Sequence, residues 1–195
     1  MKPALEAFAA RLGLALLRAL PLDRASAVAG FMARLAGPRL GVHRVAERNL
    51  RRALPDLDDA AVARTLKGMW DNLGRTVGEL AHLDELLPGR IEIVGAEHIE
   101  ALRDDGMPGI AVAMHYGNWE LPPLVMRHFG MKTLSVYRAA NNPAVDAMIQ
   151  ELRDVAGQDY APKGSRAARD LLGALRAGGH VGLLVDQKQN NGISV

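Results

Sequence analysis

The spacing of apolar residues changes near residue 89, and this change constrains the fold more than any other feature of the sequence. Up to about residue 87, apolar residues recur every three or four positions, as they do along amphipathic helices. Beyond Gly89, short apolar runs of strand length alternate with helical segments. That alternation predicts right-handed crossovers and a largely parallel sheet flanked by helices. We therefore expect an α/β fold with a helical region at residues 1–88 and an α/β core at residues 89–195, together forming one structural domain.

Individual elements can be predicted in both regions. In the first region we expect helices near residues 24–36, 42–53 and 59–86, separated by prolines. In the second region, four apolar runs predict strands: IEIVG, GIAVAMH, KTLSVY and HVGLLVD. Helical spacing is found in EHIEALRDDG, NPAVDAMIQELRDVAG and SRAARDLLGALRAGG, and Asn142 is expected to cap the second of these helices. Because sites in parallel sheets form where strands end, the residues after these strands are the first candidates for a functional site.

Charge and cysteine content limit the possible functions. The chain has no cysteine, which excludes disulfide bonds, thiolate nucleophiles and cysteine-ligated metal sites. Residues 1–54 carry ten Lys and Arg against three Asp and Glu, a net charge of +7, whereas the whole chain has +2. A basic helical start can face anionic lipid headgroups, nucleic acid or water. Because aromatic residues are few there and no nucleic-acid motif is present, lipid is favoured and nucleic acid is not an expected partner.

The first helix supports an interaction with lipid. One face of ALEAFAARLGLALLRAL carries the apolar residues Leu5, Phe8, Leu12, Leu16 and Leu20. Two arginines, Arg11 and Arg18, interrupt the apolar run, so the segment does not resemble a membrane-spanning helix, and no cleavage site of a signal peptide follows it. We expect a helix that lies in the membrane interface. The alternative is that the same face packs against the rest of the protein.

The segment AMHYGNWE, residues 113–120, combines groups that are suited to acid–base chemistry. His115 follows an apolar strand, so we expect it at the rim of the sheet. Gly117 permits a tight turn, and Asn118 can cap a helix that begins just after it and supplies backbone N–H groups to an oxyanion. Such a turn would fold the Glu120 carboxylate toward His115 and raise the basicity of the imidazole. A His and a Glu five positions apart also occur by chance, and the residues alone leave both interpretations open.

HYGNWE resembles the HX4E motif of the lysophospholipid acyltransferase superfamily, in the branch that adds secondary acyl chains to lipid A. The resemblance covers the chain from about residue 40 to its end, because other segments are similar to the family's blocks in the same order. These segments are RNLRRALPDL, NLGRTVGEL, IVGAEHI, VYRAANNPAVDAMIQELR, APKGSRAARDLLGALRAGG and VGLLVDQKQNNGISV. The resemblance implies transfer of a fatty acyl chain from acyl carrier protein to a hydroxyl of a lipid A precursor.

The resemblance also implies roles for individual residues. His115 would deprotonate the acceptor hydroxyl, and Glu120 would hold the imidazole in the productive tautomer. Residues implied to bind or shape the substrate site are Arg138, Lys163, Arg166 and Asp186, the last next to Gln187. The three cations suit an acceptor that carries phosphates. A solvated helix face explains Arg166 equally well, and Asp186 either orients a site residue or simply ends a strand.

The family resemblance sets further expectations. The donor would be an acyl carrier protein thioester, the acceptor a phosphorylated glycolipid, and the location the cytoplasmic face of the inner membrane. No cofactor is implied, and no metal site is expected because the other histidines lack metal-ligand spacing. Family members usually continue beyond the block that ends here at Val195, so the sheet is expected to be truncated at its C-terminal end. Two alternatives stay open: an acyltransferase for another phospholipid or glycolipid, and a catalytically dead membrane-binding variant.

Overall fold

The computed structural model describes residues 2–87 and 89–186. The α-helices of this part are α1 (Lys2–Arg18), α2 (Leu22–Ala36), α3 (Gly41–Ala53), α4 (Asp59–Leu80), α5 (Leu83–Leu86), α6 (Ala96–Asp104), α7 (Leu121–His128), α8 (Pro143–Arg153) and α9 (Ala167–Arg176). The strands are β1 (Gly109–Ala113), β2 (Thr133–Tyr137), β3 (Asp159–Pro162) and β4 (His180–Leu184). The chain divides into two compact units, a helical unit (residues 8–85) and an α/β unit (residues 1–7 and 86–195).

In the helical unit, glycines allow α2 and α4 to pack closely. A Cβ atom on Gly78 would lie 2.7 Å from the Ala25 carbonyl oxygen, so only a residue without a side chain fits there. Trp70 of α4 is 6% exposed and donates its Nε1–H to His43 Nδ1 of α3 at 3.0 Å. Close backbone approach and a buried indole therefore hold the three helices together.

The predicted helices of the first region are confirmed with one difference. Helices α2 and α3 lie where the apolar spacing placed them, but the predicted helix over residues 59–86 is divided into α4 and α5. His82 lies at the break and is 2% exposed. Its Nδ1 lies 2.8 Å from Glu85 Oε1 and its Nε2 lies 3.1 Å from the Leu17 carbonyl oxygen. Each ring nitrogen of this buried histidine therefore has a hydrogen-bond partner, one on α5 and one on α1.

The apolar face of α1 is largely exposed. The exposed fractions are 68% for Leu5, 64% for Phe8, 49% for Leu12 and 61% for Leu16. Ala7 is the buried residue of this helix. Within residues 2–87 and 89–186, no helix is both long enough and apolar enough to cross a membrane. The interfacial role of α1 therefore stays a prediction, with an apolar surface available for it.

The α/β unit contains a four-stranded sheet with the order β1-β4-β2-β3. Each neighbouring pair is parallel, which confirms the predicted α/β fold with a parallel sheet flanked by helices. At the edge of the sheet formed by the last residues of the strands, Ala113 of β1 pairs with Leu184 of β4, and Tyr137 of β2 pairs with Pro162 of β3. Because the strands are parallel, all four carboxyl ends lie along this edge, where functional sites of such sheets form.

One strand prediction was wrong, and one strand was not predicted. IEIVG, residues 91–95, pairs with no strand in the described part of the chain, and Val94 is 88% exposed. The alternating pattern fits an extended segment, but a strand also needs a neighbour, which the pattern does not reveal. Conversely, β3 has the short, polar sequence DYAP. It forms because β2 pairs with β4 on one side only, which leaves the backbone groups on its other side for β3. Just before β3, Gln158 Oε1 accepts a hydrogen bond of 2.6 Å from the Thr133 amide and fixes the register.

Candidate active site

The register of the sheet brings His115 and Asp186 together. Because Ala113 pairs with Leu184, the residues two positions further along each strand also lie side by side. The Val185 amide donates to the Ala113 carbonyl at 3.1 Å and continues the pairing beyond the strand ends. The Asp186 carboxylate then accepts two hydrogen bonds from His115, one of 2.9 Å from its backbone N–H and one of 2.8 Å from its Nδ1.

This contact determines which ring nitrogen of His115 carries the hydrogen. A carboxylate on Nδ1 favours the tautomer in which Nδ1 carries the hydrogen and Nε2 carries the lone pair. The hydrogen bond from His115 is the main reason why the pKa of Asp186 is lowered from its ordinary value of 3.8. Both side chains keep access to solvent, with exposed fractions of 27% for His115 and 34% for Asp186. The imidazole is therefore held in one orientation by Asp186 and is partly open to solvent.

The turn after His115 differs in detail from the prediction. Gly117 has a positive φ of 61°, as expected for a tight turn. Asn118 accepts a hydrogen bond of 2.9 Å from the Glu120 amide, but α7 begins only at Leu121. The Leu121 amide is bonded to the Asn118 carbonyl, and the two residues that follow are prolines, which have no N–H. The start of α7 therefore offers fewer N–H groups to an oxyanion than we expected.

Glu120 is paired with an arginine. Its carboxylate accepts two hydrogen bonds from Arg153 at the end of α8, one of 2.8 Å from Nε and one of 2.6 Å from Nη2. The two side chains are 7% and 16% exposed, so the ion pair is largely buried. The sequence assigned the orientation of His115 to Glu120, but the carboxylate on the imidazole of His115 is that of Asp186. A catalytic role of Glu120 stays a prediction.

Two tyrosines enclose the guanidinium of Arg153. Its Cζ lies 5.9 Å from the ring centre of Tyr137 and 5.5 Å from that of Tyr160, on neighbouring strands β2 and β3. Burial of Arg153 acts to lower its pKa, but the hydrogen bond and charge of Glu120 outweigh it and the pKa is raised. Burial raises the pKa of Tyr160 to about 12. Arg153 is therefore a permanent cation and Tyr160 a neutral phenol at neutral pH.

The predicted cations lie along the same edge of the sheet. Arg138 follows β2, is exposed, and has its Nη2 at 3.4 Å from Asn141 Oδ1. Lys163 follows β3, and its amide donates to the Tyr137 carbonyl at 2.7 Å. Neighbouring strands are about 4.8 Å apart, so the edge from β1 to β3 extends over roughly 14 Å. Arg166 is exposed just before α9.

A family model for bacterial lipid A biosynthesis acyltransferases matches residues 4–195. The chain belongs to this acyltransferase family. A search of curated proteins gave no match. Membership implies an acyltransferase with an acyl donor and a lipid acceptor, and it confirms the resemblance inferred from HYGNWE and the other blocks.

In this lipid A acyltransferase, the structure also places two residues beside the candidate site to which the sequence analysis gave no role. Arg153 was part of a block similar to the family but had no assigned role, since one arginine in the last turn of a helix is usually explained by the helix dipole. Trp119 was part of the motif, and its ring centre lies 5.4 Å from that of His115. Among residues 2–87 and 89–186 no group of three or more metal-binding side chains occurs. Gln187 and residues 188–195 lie outside the described residues.

Proposed function

We propose that the chain transfers a fatty acyl group from an acyl carrier protein thioester to a hydroxyl of a phosphorylated lipid A precursor, with His115 as general base. The observation that carries this proposal is the imidazole at the edge of the sheet, held in one tautomer by Asp186, in a chain of the lipid A acyltransferase family. An oriented, solvent-accessible imidazole is the group that proton abstraction from a hydroxyl requires.

The reaction needs one proton carrier and no covalent intermediate with the protein. His115 Nε2 takes the proton of the acceptor hydroxyl while the oxygen forms a bond to the thioester carbonyl carbon. The tetrahedral intermediate then collapses, the carbon–sulfur bond breaks, and the imidazolium returns the proton to the leaving thiolate. Asp186 stabilises the imidazolium between these steps because its carboxylate is already bonded to Nδ1.

Arg138 and Lys163 are proposed to bind the phosphates of the acceptor. Both side chains are exposed and follow strands that end at the edge where His115 lies. A guanidinium offers a planar pair of donors that matches two phosphate oxygens, whereas an ammonium acts as a point charge. We therefore assign the more specific contact to Arg138.

The enzyme is also proposed to bind the cytoplasmic face of the inner membrane through α1. The exposed leucines of α1 and the basic charge of residues 1–54 support this attachment. Replacing both Leu12 and Leu16 by Gln should weaken sedimentation with anionic phospholipid vesicles. Val94→Gln is the matched control, because Val94 is an exposed apolar residue of the α/β unit. Equal sedimentation of the α1 variant and the control would contradict the proposal.

Replacement of His115 tests the proposed activity. His115→Ala should lower the rate of transfer from an acyl carrier protein thioester by about 10²-fold to 10⁴-fold, because general-base catalysis contributes that much. His98→Ala, which removes an exposed histidine of α6, should leave the rate unchanged. The assay compares a phosphorylated lipid A precursor with a lysophospholipid and a neutral glycolipid, and another active member of the family serves as the positive control. Wild-type transfer by His115→Ala, or transfer only to the lysophospholipid, would contradict the proposal.

A further inference from the structure

The loop from His115 to Glu120 is held by a different partner at each end. At its start, Asp186 accepts hydrogen bonds from the backbone N–H and from Nδ1 of His115. At its end, the carboxylate of Glu120 is bound by two hydrogen bonds from Arg153. Only four residues separate the two ends, so a shift of Glu120 is transmitted to the backbone of His115.

The anchor at the Glu120 end is rigid because Arg153 is itself held in place. Its guanidinium lies against the rings of Tyr137 and Tyr160, which contact each other edge to face at 6.2 Å. The Tyr137 hydroxyl donates to Asp146 Oδ2 at 3.1 Å, which ties β2 to α8, the helix that carries Arg153. A buried arginine with two hydrogen bonds and two aromatic neighbours has little freedom to follow a mobile loop.

We propose that Arg153 is a positioning residue for the general base, acting on His115 through Glu120 and the intervening loop. This inference rests on the proposed function, because it assumes that His115 abstracts the proton. Glu120 then serves mainly as the carboxylate that locks the loop to Arg153, while Asp186 is the group that governs the charge of the imidazole.

Because Glu120 fixes the position of the loop and Asp186 affects the charge of the imidazole, substitutions of the two carboxylates should have different kinetic effects. A loosened loop displaces the imidazole from the acceptor hydroxyl, and a displacement of about 1 Å can cost on the order of 10²-fold in rate. Changes at Arg153 or Glu120 should therefore lower kcat, leave the KM for the acyl donor nearly unchanged and leave the pH midpoint of the rate unchanged. Arg153→Lys should recover only part of the rate, because an ammonium cannot make the bidentate contact.

A double-mutant cycle tests the coupling between the two residues. Glu120→Gln and Arg153→Gln should each lower kcat by roughly 10²-fold. Because both variants break the same contact, the double variant should be within about threefold of the slower single variant instead of showing the product of the two losses. Arg103→Gln is the matched control, since Arg103 is an exposed arginine of the same unit, bonded to Asp104, and its rate should match the wild type. Losses that multiply in the double variant would overturn the inference.

Fluorescence provides a readout that needs no turnover. The chain has two tryptophans, so Trp70→Phe leaves Trp119 as the only indole, next to the ring of His115. Protonation of a neighbouring imidazole quenches indole emission. The emission of Trp119 should therefore decrease as the pH is lowered. In the same background, Arg153→Ala should lose most of this fall, and millimolar ethylguanidinium, but not urea, should restore it. An unchanged titration in Arg153→Ala would overturn the inference.

His115→Ala separates a failure of this inference from a failure of the proposed function. If His115→Ala transfers acyl groups at the wild-type rate, the proposed function is wrong, and the positioning role falls with it. If His115→Ala is inactive while the losses at Glu120 and Arg153 multiply, the function stands and the positioning role of Arg153 is wrong.

Discussion

Two carboxylates of the α/β unit, Asp186 and Glu120, make different kinds of contact. The contact of His115 with Asp186 lies at the edge of the sheet, with about a third of each side chain exposed. The contact of Glu120 with Arg153 is largely buried, with side-chain exposures of 7% and 16%. The first pair joins a carboxylate to an imidazole, whereas the second joins a carboxylate to a guanidinium.

The difference in burial predicts a difference in function. An exposed pair contributes little to folding, because water solvates either partner when the other is removed. A buried pair that loses one partner leaves an uncompensated charge in the interior, which is costly. Asp186 is therefore suited to control the protonation of a base, and Glu120 is suited to fix the position of a loop.

The largest expected effect is on stability. Glu120→Ala leaves the buried Arg153 guanidinium without its carboxylate, and we expect the free energy of unfolding to fall by about 3 to 5 kcal/mol. Asp186→Ala should change it far less, because that carboxylate is exposed. Denaturant unfolding followed by circular dichroism measures both. Replacing both buried residues with apolar ones, Glu120→Leu with Arg153→Met, should recover much of the loss, and equal losses for Glu120→Ala and Asp186→Ala would contradict the contrast.

Much of this site could be predicted from the sequence, but its pairing could not. His115 and Asp186 were both named because they follow apolar strands, and strand ends are where sites form in parallel sheets. Their contact depends on β1 and β4 being neighbours, although these are the first and last strands along the described chain. The contact of Arg153 with Glu120 could not be predicted, because the two residues are 33 positions apart and no spacing rule connects a loop with the end of a later helix.

A second prediction concerns Arg138, which is exposed like Asp186 and lies at the same edge. Arg138→Ala should lower the acceptor-dependent rate by roughly tenfold to a thousandfold, corresponding to about 1.5 to 4 kcal/mol for a charged contact with a phosphate. Arg138→Lys should recover part of the rate, since the charge is kept without the planar fork. Steady-state kinetics with varied acceptor measures this effect. Near-normal turnover by Arg138→Ala would assign this arginine to a solvated surface.

The smallest expected effect extends the contrast to the helical unit. The hydrogen bond from Arg75 is the main reason why the pKa of Asp71 is lowered from its ordinary value of 3.8. Because the folded-state pKa is the lower one, the stabilisation is complete above pH 3.8 and is lost as the pH falls through the lowered value. We expect a loss under about 1 kcal/mol, since the pair is partly exposed. Urea unfolding at pH 7 and pH 3 measures it, and Asp71→Asn should show a smaller loss than the wild type; an equal loss would contradict the assignment.

The fold was predictable where one segment determines its own structure. The helical spacing located α2 and α3, and Asn142 caps α8 as expected by accepting from the Ala144 amide at 3.1 Å. The errors occurred where a strand depends on its neighbour. The alternating segment IEIVG has no partner among the described residues, and the polar segment DYAP pairs with β2. Pairing is a tertiary property, so an apolar pattern alone does not decide it.

The pH dependence of the rate tests the central claim most directly, namely that Asp186 controls the charge of His115 whereas Glu120 fixes its position. Asp186→Asn removes the negative charge that stabilises the imidazolium, so the base stays unprotonated to lower pH. The acidic limb of the kcat profile should therefore move to lower pH, and the maximum should fall. Glu120→Gln should lower the maximum and leave the limb in place. A limb that moves in Glu120→Gln and stays fixed in Asp186→Asn would contradict the account.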